Sequence, residues 1–133
     1  MGVKTLEELQ AYQAARALKL EVYRLVEANA RINRDLRFRD QLMDAAASAE
    51  MNVAEGFRRF SAGDFSRFLK IARGSVEETC RWIQDGVDRQ HLTEAEVATA
   101  LQLGDRAGRL ITGLIMSLKP FLPSSSAPGR KKG

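Results

Sequence analysis

Basic side chains concentrate in two stretches of this sequence, and such stretches suit contacts with phosphate groups. Residues 57–73 carry five basic side chains against one acidic residue, Asp64, and residues 31–39 carry four arginines against Asp35. Arginine guanidiniums bind phosphates through their charge and their paired N–H donors. The candidate nucleic-acid-binding residues are therefore Arg58, Arg59, Arg67, Lys70 and Arg73 in the first stretch, and Arg31, Arg34, Arg37 and Arg39 in the second.

Four phenylalanines are interleaved with the first basic stretch: Phe57, Phe60, Phe65 and Phe68. Exposed aromatic rings stack on nucleic-acid bases, but the spacing of these four favours burial in a core. For the arginines two interpretations remain open. They either contact nucleic acid, or they serve as a solvated face or a subunit contact.

Acidic side chains dominate a third stretch, residues 77–105, which carries seven Asp and Glu against Arg81 and Arg89. The net charge of +4 therefore hides a strong segregation of charge along the chain. A basic and an acidic surface on one chain can also dock head to tail and close into a ring.

Four polar residues form a separate group, the polar constellation. Asn52 and Glu55 are three residues apart on one predicted helix, and Ser75 and Glu78 are three residues apart on the next. Antiparallel packing of two helices joined near Phe60 would bring the two pairs to similar heights. We expect a structural polar network, with Arg59 or Arg73 as partners, or a subunit contact.

The sequence lacks the residues that several kinds of metal, nucleotide-binding and catalytic site require. The chain has one histidine, His91, and one cysteine, Cys80, and it contains no Glu-x-x-His pair, phosphate-binding glycine loop or nucleophile elbow. We expect no enzymatic activity, metal or cofactor, and Cys80 is expected to be a small buried side chain. A single cysteine and the lack of a long apolar run predict a cytoplasmic protein without a membrane partner.

The elements that position these residues are four amphipathic helices. Apolar spacing predicts helices over residues 5–29, from between 35 and 40 to 57, over 61–88, and from 93 to Pro120. Thr5 with Glu8, Ser61 with Asp64 and Thr93 with Glu96 are predicted caps. The sequence predicts an all-α, antiparallel up-down-up-down four-helix bundle over residues 1–119 and a disordered basic tail over residues 120–133.

Two linked motifs resemble a known family. They are the run Asn52-Val53-Ala54-Glu55-Gly56 and the run from Phe68 to Glu78, which reads Phe-Leu-Lys-Ile-Ala-Arg-Gly-Ser-Val-Glu-Glu. The sequence resembles the four-helix-bundle proteins encoded in intervening sequences of bacterial 23S ribosomal RNA genes. The resemblance implies a cytosolic homopentameric ring without enzymatic activity. Relatives include the accessory protein of diversity-generating retroelements, which associates with nucleic acid and a reverse transcriptase.

These observations lead to two functional hypotheses. The first is a non-enzymatic, ring-forming bundle that binds RNA or DNA through its basic patches, possible partners including a reverse transcriptase. The alternative is a homo-oligomeric protein-interaction scaffold with no role in nucleic-acid binding, in which the basic patches dock subunits.

Overall fold

The computed structural model of the protein describes residues 3–123, and this part of the chain is helical without strands. A 3-10 turn over Leu6–Glu8 precedes α1 (Gln10–Ala28), α2 (Ala30–Arg34), α3 (Leu36–Phe57), α4 (Ala62–Asp88) and α5 (Glu94–Leu118), and a second 3-10 turn covers Lys119–Phe121. Of the predicted tail, residues 120–133, the part from residue 124 onward lies outside the described residues.

The four long helices pack as a closed square, in which α1 contacts α3 and α5, and α4 contacts the same two helices from the other side. Cross-helix pairs show that neighbours run antiparallel: Tyr12, near the start of α1, meets Glu50, near the end of α3, and Gly56, at the end of α3, lies against Phe65, at the start of α4. The predicted all-α four-helix bundle is confirmed. Within the described residues, no helix is long and apolar enough to cross a membrane.

Two of the three predicted caps form. The Ser61 hydroxyl accepts a hydrogen bond from the Asp64 amide at 3.0 Å, and Thr93 and Glu96 make a reciprocal capping box. The predicted cap at Thr5 is wrong, because its side chain makes no capping bond. The buried Leu9 is extended there, so the chain breaks after one 3-10 turn and α1 begins at Gln10.

The connection between α1 and α3 contains the five-residue helix α2, which the sequence did not predict. Ile32 is fully buried and anchors this helix to the core. Asp35 then caps α3 by accepting a hydrogen bond from the Phe38 amide at 3.3 Å. The arginines of residues 31–39 are therefore divided between two helices that meet at Asp35.

Small residues let the helices approach closely. Ala46, Ala49 and Ala72 are fully buried in the core, in a part of the bundle where larger side chains would separate the helices. A Cβ on Gly56 would lie 2.9 Å from the Phe68 Cβ, so glycine is required where α3 meets the start of α4. This close contact holds the α3–α4 connection, which carries two candidate arginines, Arg58 and Arg59, against the body of the bundle.

Candidate nucleic-acid interface

Two arginines of the first basic stretch lie over one aromatic ring, and a third, Arg58, shares the carboxylate of Glu55 with one of them. Arg58 and Arg59 lie in the connection after α3, and Arg67 lies in the second turn of α4. The guanidinium carbons of Arg59 and Arg67 are 4.7 and 4.6 Å from the centroid of the Phe68 ring. Cation–π attraction on this scale stabilises each arrangement by about 0.5–1 kcal/mol at an exposed site. The ring therefore orients two guanidiniums on one surface.

Phe60 stands apart from the other phenylalanines of this stretch. Phe57 and Phe65 pack edge to face at 6.2 Å and lie against the core, whereas Phe60 has a relative exposure of 107%. Its assignment to the core was wrong. The connection spans only residues 58–61, so Phe60 lies on no helix face that could bury it. An aromatic ring in open solvent thus adjoins the arginine cluster.

Carboxylates moderate the charge of this cluster. Glu55 lies 2.7 Å from Arg59 and 3.7 Å from Arg58, and Asp64 lies 3.7 Å from Arg67. Such exposed ion pairs contribute only about 0–1 kcal/mol each. The Arg58 side chain is 75% exposed. The arginines can therefore exchange these partners for phosphates at small cost.

The remaining two candidates of the first stretch point in different directions. Lys70 is exposed on α4, one turn beyond Arg67, and extends the same surface. Arg73 instead turns toward α5, where its Nη1 donates to the Thr112 hydroxyl at 3.3 Å. Arg73 therefore lines a groove between α4 and α5 and does not join the cluster around Phe68.

The second basic stretch lies at the opposite end of the bundle, because most of α3 lies between Arg39 and Arg58, which are about 28 Å apart along the helix. Arg31 donates to the Gln90 carbonyl at 2.7 Å, and Arg39 pairs with Asp40 at 3.0 Å. Arg34 and Arg37 are exposed. The structure therefore does not bring the two basic stretches into one surface.

The two ends also differ in net charge. We call residues 3–8, 55–70 and 116–123 the arginine end, and residues 27–40 and 85–96 the acidic end. The arginine end has six Lys and Arg against four Asp and Glu, whereas the acidic end has five arginines against seven Asp and Glu. Polyanions are attracted to net positive surfaces, so the electrostatics favour the arginine end over residues 31–39.

The polar constellation forms only in part. The Ser75 and Ser48 hydroxyls are 2.8 Å apart, and the Asn52 amide donates to the Ser48 hydroxyl at 3.0 Å. Glu55 lies with the arginines, and Glu78 meets Trp82 on its own helix at 3.4 Å, so the structure does not bring these two carboxylates into the cluster. Ser48 was missed. It precedes Asn52 by four residues, one helical turn, and that spacing could have revealed it.

A buried carboxylate, Glu50, was also missed. It is 7% exposed and accepts hydrogen bonds from Tyr12 at 2.8 Å, from Arg16 at 3.1 Å and from Lys19. Burial opposes its ionisation, but the bonds from Lys19, Tyr12 and Arg16 outweigh burial and lower the pKa of Glu50. The hydrogen bond to Glu50 raises the pKa of Tyr12. Its position one turn after Ala46, within the apolar stripe, could have indicated burial.

The single histidine belongs to an ion-paired cluster at the acidic end. His91 Nε2 is 2.8 Å from Asp35 Oδ2, and Arg89 Nη1 is 3.1 Å from the same oxygen. The hydrogen bond from His91 is the main cause that lowers the pKa of Asp35. This cluster ties the end of α4 to the start of α3 and leaves the ring of His91 largely enclosed.

Cys80 lies against α5, and a Cβ on Gly104 would be 2.5 Å from its sulfur. Burial, with the charges of Asp105 and Glu77, raises the pKa of the Cys80 thiol. A thiol with a raised pKa is a weak nucleophile at neutral pH. Across residues 3–123 no group of three or more His, Cys, Asp or Glu side chains is arranged to hold a metal ion.

The fold and this surface define a class of protein: an antiparallel four-helix bundle with an arginine-rich turn at one end. Residues 7–113 match the profile of a family described as 23S rRNA-intervening sequence protein. The chain belongs to that family, which confirms the resemblance drawn from the motifs around Asn52 and Glu78. No curated protein matches the chain.

Proposed function

We propose that this protein binds nucleic acid, RNA or DNA, through the arginine end, without catalysing a reaction. The observation that carries the proposal is an arginine cluster in which Arg59 and Arg67 lie over Phe68 and Arg58 shares Glu55 with Arg59. The exposed ring of Phe60 lies next to it. Three guanidiniums on one surface suit a phosphodiester backbone, and a solvent-exposed ring suits a base.

The physical basis is charge and orientation. Phe68 holds two guanidiniums in place, which lowers the conformational entropy that a phosphate contact would otherwise cost. Arg58 needs only to leave Glu55, at 3.7 Å, to contact a phosphate. Lys70 lengthens the surface along α4. Binding by these residues depends on release of counterions, so affinity falls steeply with added salt.

The test replaces Arg58, Arg59 and Arg67 with Glu and measures binding to mixed-sequence RNA and DNA by fluorescence anisotropy over a range of salt. We expect affinity to fall about tenfold or more, with a shallower salt slope, because three phosphate contacts become repulsive. The variant should stay folded, with a melting temperature lowered by several degrees at most, because it loses two cation–π contacts and only exposed ion pairs.

A matched control has the same change of charge elsewhere. Arg34, Arg37 and Arg106 are exposed and lie away from the arginine end, so replacing all three with Glu should weaken binding much less. Equal loss of affinity in both triple variants would contradict a localised interface. Unchanged binding by a folded Arg58/Arg59/Arg67 variant would remove this surface as the site.

A second candidate function is a self-associating scaffold, and the outer surface of α5 favours it. Gly108 and Gly113 face open space, and Met116 is 53% exposed. Small residues and an exposed apolar side chain permit close approach by another helix. In this proposal the protein forms a cytoplasmic homo-oligomer, with the pentamer implied by the resemblance, and a protein partner such as a reverse transcriptase binds the assembly.

Light scattering tests self-association, since a single chain has a mass of 14.8 kDa. We expect a closed oligomer that Gly113→Arg disrupts, because the long side chain projects from the outer surface of α5. Gly74→Arg makes the same substitution at an exposed glycine on α4 and is the matched control, which should leave the mass of the assembly unchanged. A mass of one chain at micromolar concentration would contradict the scaffold.

A further inference from the structure

We infer, building on the proposed function, that the arginine end recognises single-stranded nucleic acid and that Phe60 stacks on an unpaired base. The inference depends on the placement of one ring. Phe60 is fully exposed, whereas Phe57, Phe65 and Phe68 each have an aromatic or cationic partner. An exposed phenylalanine contributes nothing to the core of the bundle, since it removes no apolar surface from water.

The backbone on both sides of Phe60 is held in place. The amides of Arg58 and Arg59 bond to the Glu55 and Gly56 carbonyls at 3.3 and 3.0 Å, which closes the end of α3. Ser61, the next residue, caps α4 through its 3.0 Å bond to the Asp64 amide. The connection therefore presents the ring from a defined position between two helix ends, as a stacking residue requires.

The surroundings of Phe60 supply what a nucleotide needs besides a stacking partner. A surface concavity of about 390 Å³ is lined by Glu55, Arg58, Arg59, Phe60, Ser61 and Asp64. Its volume falls within the range of about 300–1,000 Å³ that small-ligand sites occupy. A base against the ring would leave its flanking phosphates within reach of Arg58 and Arg59, whose charges suit them.

Stacking distinguishes single strands from duplexes, whereas phosphate contacts do not. The faces of bases in a duplex are covered by their neighbours, so a side chain reaches a base face only in loops, bulges, ends and single strands. Arginine contacts with the backbone occur with either form. Phe60 should therefore contribute to single-strand affinity and have little effect on duplex affinity.

The experiment compares Phe60→Ala, Phe60→Leu and Phe60→Trp in the full chain. Each is titrated into a labelled unstructured RNA, the corresponding DNA and a long, fully paired duplex without a loop, and affinities are compared at equal phosphate concentration. We expect Phe60→Ala and Phe60→Leu to lose about 5- to 100-fold in single-strand affinity, in line with the contribution of one aromatic–base stack. Duplex affinity should stay within about twofold, and Phe60→Trp should retain single-strand binding.

Phe60→Trp also supplies a direct signature of stacking. The new indole should lose fluorescence when a single strand binds, while Trp82, which contacts Phe38 near the acidic end, should not respond in the unsubstituted protein. The thermal midpoint of all three variants should equal that of the unsubstituted protein, because the ring of Phe60 lies in solvent.

The outcomes separate this inference from the proposed function. If Phe60→Ala leaves single-strand affinity unchanged while the Arg58/Arg59/Arg67 variant loses it, the protein binds nucleic acid but Phe60 does not stack. Equal losses on single strands and duplexes would also overturn base stacking. If the unsubstituted protein binds neither form, the proposed function fails and this inference with it. A changed oligomeric mass in Phe60→Ala would assign the ring to a subunit contact instead.

Discussion

At the scale of single residues, carboxylates decide how the arginine end presents its positive charge. Glu55 forms ion pairs with both Arg58 and Arg59. One carboxylate therefore occupies two of the three guanidiniums that are proposed to contact phosphate. Any polyanion must compete with that carboxylate. The strength of phosphate binding is therefore set by Glu55 as well as by the arginines themselves.

Glu55→Gln should raise affinity for nucleic acid by about two- to fivefold at low salt, because it removes a competing charge worth up to about 1 kcal/mol. The gain should shrink as salt screens the interaction. Fluorescence anisotropy measures both effects.

Asp88→Asn is the matched control, since it removes one negative charge from an exposed position at the acidic end. An equal gain in that variant would show that the effect reflects total charge. No gain in Glu55→Gln would mean that Glu55 does not compete for the arginines.

At the scale of elements, the contact between α3 and α4 depends on side chains that are small. Ala49 on α3 and Ala72 on α4 are fully buried, and Gly56 meets Phe68 where the two helices converge. This contact holds α4 in the position that places Arg67 beside Arg59. The geometry of the arginine end is therefore a consequence of packing in the bundle.

Ala49→Asp or Ala72→Asp should prevent a stable bundle, because each buries a charge without a partner at a helix contact. Circular dichroism should show a loss of several degrees or more in melting temperature, or loss of the cooperative transition. Ala98→Asp places the same side chain on the exposed surface of α5 and should melt almost normally. Unchanged melting in both buried variants would contradict the assignment of this contact.

At the scale of the whole molecule, two carboxylates bond across helices that are distant in sequence. Glu50 joins α3 to Tyr12, Arg16 and Lys19 on α1, and Asp35 joins the start of α3 to His91. Both carboxyl groups have lowered pKa values in the folded protein. Each therefore stabilises the fold while it is ionised, and the effect is lost on protonation.

The stability of the protein should accordingly fall in acid. Ordinary pKa values are 4.5 for Glu50 and 3.8 for Asp35, so the contribution is fully present above about pH 5. It is lost as the pH falls through the lower pKa values of the folded state. Urea unfolding at several pH values should show this decline.

Glu50→Gln should lower the free energy of unfolding by about 1–3 kcal/mol at pH 7, as expected when charged groups lose a hydrogen-bonded partner. The decline in acid should be flatter in this variant. Glu27→Gln, an exposed change on α1, should alter neither quantity. A Glu50→Gln protein as stable as the unsubstituted one would contradict a stabilising role for the cluster.

The sequence by itself determined the helices and most of their ends, because apolar spacing and caps such as Ser61 and Thr93 act within a few residues of chain. It failed at Thr5, where burial of Leu9 outweighed a local capping preference. The family also followed from contiguous motifs, the first of them at Asn52.

Only the tertiary structure decided which side chains share a surface. It separated Arg31 from Arg58, turned Arg73 toward Thr112, buried Glu50 among side chains of α1 and left Phe60 in solvent. These outcomes depend on residues that are far apart in sequence and meet only when the helices pack. Charge counts and spacing along one helix do not contain that information, since they describe a helix without its neighbours.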